Sequence, residues 1–299
     1  MRNLLKWCIV LLILVLSVLI WKNAPRDAIS ITIALIIAAS AASLLHKSPD
    51  NDLFSTVKRP DADIEQVTDL IKAGANVKSR DNDGRTPLMS AASMSRSIEI
   101  VSCLIDAGSD LEARDNDGNT PLIIAAMLNN EPSITNVFIK SGANVNAKND
   151  DGNTPLMMAA MFNGNPEVLR MLIDGGADIN AKNLNGLTAL HRASKPDYVS
   201  MLIASGTDVN ATDAMGHTPL MSAAFDDNPE ILSALINSGA NVNAQDREGM
   251  TALMYAAGKS HTENVKILIA YGADKTLKSI DGKSANDYAV NKSVKNILS

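Results

Sequence analysis

The chain has 299 residues, a formal net charge of −6 and an aromatic fraction of only 3%. Five Lys or Arg residues and one Asp give residues 1–47 a charge of +4, which leaves −10 for the remainder. Because phosphate binding needs a cationic surface, this acidic remainder argues against nucleic acid as a partner. The two cysteines, Cys8 and Cys103, lie in an apolar run and a predicted helix, so neither a disulfide framework nor a zinc site is expected.

Two apolar runs open the chain, Leu4–Trp21 and Ala28–Leu45. As a helix, each is about 27 Å long, close to the roughly 30 Å of a bilayer's hydrocarbon core. A polar link with Pro25 separates the runs, and alanines recur every four residues on the second run, which lets two helices approach closely. Residues 1–47 are therefore predicted to form a membrane anchor with two spans, 4–21 and 28–45.

Two alternatives remain for this N-terminal segment. Arg2 and Lys6 before an apolar run resemble the start of a signal peptide, and Ala39-Ser40-Ala41 suits cleavage, which would export the rest to the periplasm or the outside. A single uncleaved anchor is the other alternative. For the hairpin, five Lys and Arg residues flank the two outer ends against two in the link, which predicts that the rest of the chain lies in the cytoplasm.

A phrase of about ten residues recurs through the rest of the chain, and its first copy, at 83–92, reads DGRTPLMSAA. Its glycine stands at positions 84, 118, 152, 186, 216, 249 and 282, so the spacings are 34, 34, 34, 30, 33 and 33 residues. A second phrase, such as GANVNA at 142–147, follows each copy after a segment with apolar residues at helical spacing. A period near 33 residues indicates a solenoid of stacked repeats.

The two phrases resemble the ankyrin repeat from about residue 50 to the end of the chain. The resemblance implies an all-α solenoid in which each repeat has a β-turn finger and two antiparallel helices. The glycine of Asp/Asn-x-x-Gly would close the finger with a positive φ, Thr-Pro would open the first helix, and the glycine of Gly-Ala-Asp/Asn would end the second. We expect an N-terminal capping repeat at 48–80, six ankyrin repeats at 81–278 and a C-terminal capping repeat at 279–299.

The repeat that begins at Asn183 departs from this pattern. It is about three residues short at 193–196, which predicts a truncated first helix and a step beside its finger. It also carries His191 at a position where the family often has histidine and where most repeats of this chain have methionine. His191 is expected to be a structural hydrogen-bond donor at the start of this helix rather than a catalytic group.

No catalytic residue, cofactor site or metal site is predicted. Asp115–Gly118 resembles the start of a calcium loop, but Ala113 and Ile124 occupy its first and last ligand positions. The four histidines lie in separate units, and no glycine-rich phosphate loop occurs. The chain is therefore expected to be no enzyme and to bind no small-molecule substrate.

The resemblance implies a module that binds a protein or peptide across its concave face, through finger tips and the ends of the first helices. The early tips are polar, and Asn153 is expected to face solvent. The middle fingers are apolar, and exposed apolar clusters mark interfaces. Arg192 and Lys195 are expected to stand at the rim of this apolar strip and to engage an acidic group on the partner. The predicted partner-binding residues are Leu184, Leu187, Arg192, Met215 and Met250.

Partner binding has two alternatives. The stack would be a structural scaffold if it self-associated without one defined ligand. An effector enzyme delivered by the repeats is disfavoured, because no unassigned stretch of the chain is long enough for a catalytic domain.

Overall fold

The structure is a computed structural model that describes residues 49–59 and 61–299. The two predicted spans, 4–21 and 28–45, lie outside the described residues. Within the described ranges the chain forms short helices joined by turns and contains no strand. None of these helices has the length and apolar character needed to cross a bilayer.

The described helices alternate between inner helices, each of which follows a finger, and outer helices, each of which precedes the next finger. Helices α1 (Pro49–Val57) and α2 (Ile64–Lys72) come before the first finger. The inner helices are α3 (Pro87–Met94), α5 (Pro121–Leu128), α7 (Pro155–Phe162), the 3-10 helix η1 (Leu190–Arg192), α10 (Pro219–Phe225), α12 (Ala252–Lys259) and α14 (Ala285–Tyr288). The outer helices are α4 (Ile98–Asp106), α6 (Pro132–Lys140), α8 (Pro166–Asp174), α9 (Pro196–Ala204), α11 (Pro229–Asn237), α13 (Thr262–Ala270) and α15 (Lys292–Leu298).

The Thr-Pro pair opens the inner helices as the sequence predicts. In α3 the Thr86 hydroxyl accepts a hydrogen bond from the backbone N–H of Met89, and Pro87 occupies the first turn, where a missing N–H costs little. The equivalent threonine of each repeat caps α5, α7 and α10. In α12 the threonine cap is kept although Ala252 replaces the proline. The repeated phrase therefore encodes helix starts.

Small side chains let successive inner helices pack closely. Each inner helix contacts the next one, and each outer helix contacts the next outer helix. The Ala-Ala pairs at this contact are buried, as at Ala91 and Ala92, and so is the leucine that precedes them, as at Leu88. Burying one such leucine contributes about 1.5–3 kcal/mol. The core is therefore a continuous layer of alanine, leucine and methionine.

Hydrogen bonds join the fingers into a ladder. At the base of each of the first six fingers an Asp or Asn side chain accepts backbone N–H groups, as Asp115 does from Asp117 and Asn119. Each tip then donates a backbone N–H to the preceding finger, as Asn116 does to Asp83 O at 3.0 Å. The Asp-rich segment that resembles a calcium loop is thus a hydrogen-bonded turn.

The expectation that Asn153 faces solvent is wrong. Asn153 is buried, and its Oδ1 accepts a hydrogen bond of 2.8 Å from Nδ2 of Asn183 in the next finger. Asn119 makes the same contact with Asn149 at 3.0 Å. Because these amides pair between finger bases, they stabilise the stack instead of presenting polar groups to a partner.

The fourth repeat has a truncated inner helix, as its length predicts: η1 spans three residues, against eight in α7. Tyr198 of α9 is fully buried, and its hydroxyl donates a hydrogen bond of 2.7 Å to the backbone oxygen of Asn163 at the end of α7. The equivalent residue of α8 is the smaller Val168. The larger tyrosine therefore fills space left by the missing turn, where an open step was expected.

His191 is structural, but its role at the helix start is that of an acceptor. Its Nδ1 accepts from the backbone N–H of Thr188 at 3.2 Å, whereas its Nε2 lies 3.0 Å from the backbone oxygen of His217 in the next repeat. A carbonyl only accepts, so Nε2 carries the proton. His191 thus caps its own short helix and joins it to the fifth repeat.

Candidate functional site

The groove face is defined here as the finger tips together with the exposed residues of the inner helices. In the first three repeats, its apolar residues stand at the C-terminal ends of the inner helices. Met94, Leu128 and Phe162 occupy the same position in α3, α5 and α7 and are 56%, 49% and 54% exposed. They form an apolar row on the helix side of the groove face.

The apolar row changes sides at the fourth repeat. Helix η1 ends too early to supply a residue at the Phe162 position. Apolar residues appear instead on the fingers, where Leu184 is 76% exposed and Met215 is 48% exposed, and the helix side is apolar again only at Phe225, the end of α10. Leu187 and Met250 lie at finger bases and are half-buried. The predicted finger residues thus occupy three successive fingers of one surface.

Arg192 does not occupy the rim position predicted for it. It is half-buried in η1, and its Nη1 lies 3.6 Å from Sδ of Met161 in the third repeat. Lys195 also turns toward the third repeat, where its Nζ donates a hydrogen bond of 2.6 Å to the backbone oxygen of Gly164. Both cationic side chains contact the third repeat because the missing turn of the fourth repeat leaves the C-terminal end of α7 uncovered.

A pocket of about 270 Å³ opens on the groove face between the fifth and sixth repeats. Phe225 and Tyr255 stand on neighbouring inner helices and meet in an edge contact, with 6.2 Å between ring centroids. The Tyr255 ring also meets His217 edge-on at 5.7 Å. The residues that line the pocket are His217, Met221, Ser222, Phe225, Asp226 and Tyr255.

A hydrogen-bond network fixes the polar wall of this pocket. The Tyr255 hydroxyl donates to Oδ2 of Asp246 at 2.6 Å and lies 3.0 Å from Nε2 of His217. Nδ1 of His217 lies 3.1 Å from Oδ2 of Asp213. Burial, followed by the hydrogen bond to Asp246, raises the pKa of Tyr255, so the phenol stays a donor. The two rings are therefore held in place before any ligand arrives.

Asp213 is the ionised end of this network. Burial opposes its ionisation, but hydrogen bonds from the backbone N–H groups of His217 and Met215, together with the nearby His217 ring, lower the pKa of Asp213 below its usual value. Asp213 also forms the base of its finger, because its Oδ1 accepts those two N–H groups. The pocket and the finger ladder thus share one carboxylate.

The sequence predictions missed Phe225, Tyr255 and Asp246. Tyr255 occupies an inner-helix position where the first five repeats carry serine, isoleucine, methionine or arginine, and Phe225 is one of only four phenylalanines. Two rare aromatic residues at inner-helix positions of consecutive repeats were the available signal. His217 follows the finger glycine of the repeated phrase, but its contacts depend on the offset between fingers, which only the structure gives.

The arrangement is suited to binding. No group of three or more potential metal ligands comes together in the part of the chain that the structure describes. The pocket supplies aromatic faces and one carboxylate, Asp226, that makes no hydrogen bond or ion pair with any described residue. These groups are suited to holding a side chain in place.

Comparisons with known proteins agree with this architecture. The family model described as "Ankyrin repeats (3 copies)" matches residues 53–149, 122–213 and 195–279. The ankyrin repeat domain of Bcl-3, described as a unique member of the IkappaB protein family, is 31% identical, with a TM-score of 0.60 over 73% of this chain and 99% of that one. The human ASB11 ankyrin repeat domain is 26% identical, with a TM-score of 0.65 over 72% and 96%. A comparison with curated proteins finds no match.

Ankyrin repeat proteins are generally protein-binding modules and typically non-enzymatic. The three matches of the family model together span residues 53–279, which is most of the chain. The chain belongs to the ankyrin repeat family.

Proposed function

We propose that the chain is a membrane-anchored, non-enzymatic module that binds one protein partner along its groove face. The observation that carries this proposal is the change of sides in the apolar row, from Met94, Leu128 and Phe162 at helix ends to Leu184 and Met215 on the fingers. Contiguous exposed apolar surface costs solubility unless a partner covers it. A partner segment that crosses the face obliquely at the fourth repeat would contact both parts of the row.

Site-specific photo-crosslinking in native membranes tests this proposal. A photoreactive amino acid replaces Leu184 in one variant and Ile280 in another, since both are exposed finger-tip residues, at 76% and 75%. We expect the probe at Leu184 to crosslink one protein species that mass spectrometry can identify. The probe at Ile280, in the last finger and away from the apolar row, is the matched control and should give little of that product.

The crosslinked species also separates partner binding from self-association. A product of two copies of this chain would favour the scaffold alternative over a distinct partner. Equal yields from Leu184 and Ile280, with no dominant product, would contradict a defined binding surface, because both probes have the same access to solvent.

We further propose that residues 1–47 anchor the chain through two spans, with the repeats in the cytoplasm. The support is the pair of 18-residue apolar runs and the excess of Lys and Arg at the outer ends of the predicted hairpin. Protease added outside intact cells should then leave the repeats uncut. Digestion of the repeats, or a mature N-terminus near Ser43, would instead indicate export after cleavage.

A further inference from the structure

The pocket between the fifth and sixth repeats has a specific chemical character. Two aromatic rings, Phe225 and Tyr255, form its walls, and Met221 supplies an apolar surface. The network from Asp213 through His217 to Asp246 holds the Tyr255 ring in place. A site with rings fixed in advance loses little entropy when a ligand binds, so a single side chain is able to gain affinity there.

The charges around the pocket favour a cation. Asp226 lines the pocket and its residue is exposed, and the carboxylates of Asp213 and Asp246 both lie near the ring of His217, another lining residue, at 3.1 and 3.4 Å. The backbone N–H of Asp226 donates to the backbone oxygen of Ser222, but its carboxylate makes no hydrogen bond or ion pair with any described residue. Lys259, whose Nζ lies 4.0 Å from the Phe225 centroid, is the nearby cation that contacts a ring of the pocket. The described repeats lie in the part of the chain that carries −10, so a basic partner is complementary overall.

We propose that this pocket receives an arginine side chain of the protein partner; the inference rests on the proposed function and names one anchor of that partner. A planar guanidinium stacks on the face of Phe225, contacts Tyr255 as the second wall of the pocket, and pairs with both oxygens of the Asp226 carboxylate. An apolar side chain would leave Asp226 without a counter-charge, and an acidic one would be repelled by the Asp226 carboxylate. Arginine is therefore the occupant that satisfies both the walls and the rim.

Without a partner, Lys259 occupies the ring face of Phe225 that the arginine would take. An exposed ammonium is strongly hydrated, yet its Nζ is placed against the Phe225 ring. Because the lysine stem is flexible, the partner's arginine displaces it and takes the ring face. The substitutions of neighbouring residues should consequently act in opposite directions: Lys259→Gln should strengthen binding, whereas Phe225→Leu and Asp226→Asn should weaken it.

The test uses the full chain in non-ionic detergent micelles, with ¹³C-methyl methionine as the NMR label. The Met221 signal, assigned with Met221→Leu, is followed during titration with acetyl-Gly-Arg-Gly-amide and with the uncharged, nearly isosteric citrulline peptide. A tripeptide has few contacts, so a Kd on the order of millimolar is expected for the arginine peptide. The citrulline peptide should bind at least about tenfold more weakly.

The variants complete the test. Phe225→Leu and Asp226→Asn should each raise the Kd of the arginine peptide about threefold or more, and Lys259→Gln should lower it. Equal binding of both peptides, or no shift of Met221 with either, overturns the arginine assignment. A loss of affinity for the arginine peptide with Asp226→Asn but not with Phe225→Leu also overturns the assignment, because charge attraction alone would then explain the binding. Crosslinking from Leu184 does not use this pocket, so the proposed function would stand or fall separately.

Discussion

The first three repeats and the fourth differ in the inner helices and side-chain contacts that join them to their neighbours. In the third repeat, the eight-residue helix α7 supplies the inner layer, and Asn153 pairs with Asn183 in the next finger. In the fourth, η1 has three residues, and the equivalent finger position is Leu187, which cannot pair. Two side-chain hydrogen bonds join the fourth repeat to its neighbours instead. Tyr198 bonds to the third repeat, and His191 bonds to the fifth.

The difference shows which parts of a repeat keep the stack continuous. The fourth repeat keeps its finger bonds, from Leu184 N to Asp151 O at 3.0 Å and from Ala214 N to Asn185 O at 2.9 Å. It also keeps a nine-residue outer helix, α9. Fingers and outer helices thus tolerate the loss of an inner turn, as expected where each repeat contacts only its neighbours.

The largest expected effect is at the finger joint between the third and fourth repeats. Gly152 has a φ of +78°, and a Cβ there would lie 2.9 Å from the backbone N of Leu184. Gly152→Val should lower the free energy of unfolding of the fragment 48–299 by about 4 kcal/mol, from left-handed strain plus a backbone clash. Gly142 has a φ of +87° with nothing within 4 Å of a Cβ, so Gly142→Val should cost about 2 kcal/mol. Equal urea midpoints would disprove the close approach of the fingers.

The second expected effect tests whether Tyr198 replaces the missing turn. Tyr198→Val installs the residue that the third repeat carries at this position, and it should cost about 3 kcal/mol because it leaves a cavity beside η1. Tyr198→Phe keeps the ring and removes only the hydrogen bond to Asn163, so it should cost about 1 kcal/mol. If valine were tolerated as well as phenylalanine, the tyrosine would not be filling space left by the deletion.

A smaller effect is expected for the amide ladder of the regular repeats. Asn153→Ala leaves the buried Nδ2 of Asn183 without its acceptor, which should cost about 1–2 kcal/mol. Asn82, on an exposed finger tip, is the control, and Asn82→Ala should change stability by less than about 0.5 kcal/mol. Thermal melts of the two variants compare them directly. Equal melting temperatures of the two variants would indicate that Asn153 faces solvent, as expected from the sequence.

The smallest effect is a pH dependence confined to the fourth repeat. Burial lowers the pKa of His191, against opposing contributions from the His217 carbonyl and Asp213. The unfolded chain, in which histidine titrates near 6.5, therefore binds more protons than the folded chain, so this stability is present above about pH 6.5 and is lost as the pH falls below it. His191→Met, the residue of the regular repeats, should flatten stability between about pH 7.5 and 5.5. An unchanged slope would show that His191 does not titrate on unfolding.

Local features of the fold were predictable from the sequence because they depend on neighbouring residues. The Thr-Pro helix starts, the positive φ of the finger glycines and the truncated η1 all follow from short phrases and their spacing. The burial of Asn153 was not predictable in this way, because its partner, Asn183, lies in the next finger, 30 residues away. Contacts between repeats depend on how the units stack, which a repeat pattern read one unit at a time does not specify.

In the candidate site, too, features set by neighbouring residues were predictable from the sequence, whereas contacts between repeats were not. Leu184 and Met215 are exposed finger residues, as their positions in the phrase predict. Arg192 was placed at the rim because the effect of the missing turn on its direction was not evident from the sequence. The aromatic pocket was missed because Phe225 and Tyr255 belong to different repeats and meet only after stacking. The division into capping repeats and six full repeats stays a prediction.

The affinity of the crosslinked partner for finger variants tests the central claim most directly. Leu184→Ser with Leu187→Ser removes the apolar fingers at the point where the apolar row changes sides, and Ile280→Ser is the control of equal exposure. We expect the double variant to raise the Kd at least about tenfold, with unchanged circular dichroism, and the control to leave it unaltered. A Kd within about threefold of the parent chain, less than roughly 0.7 kcal/mol, would contradict partner binding through this face.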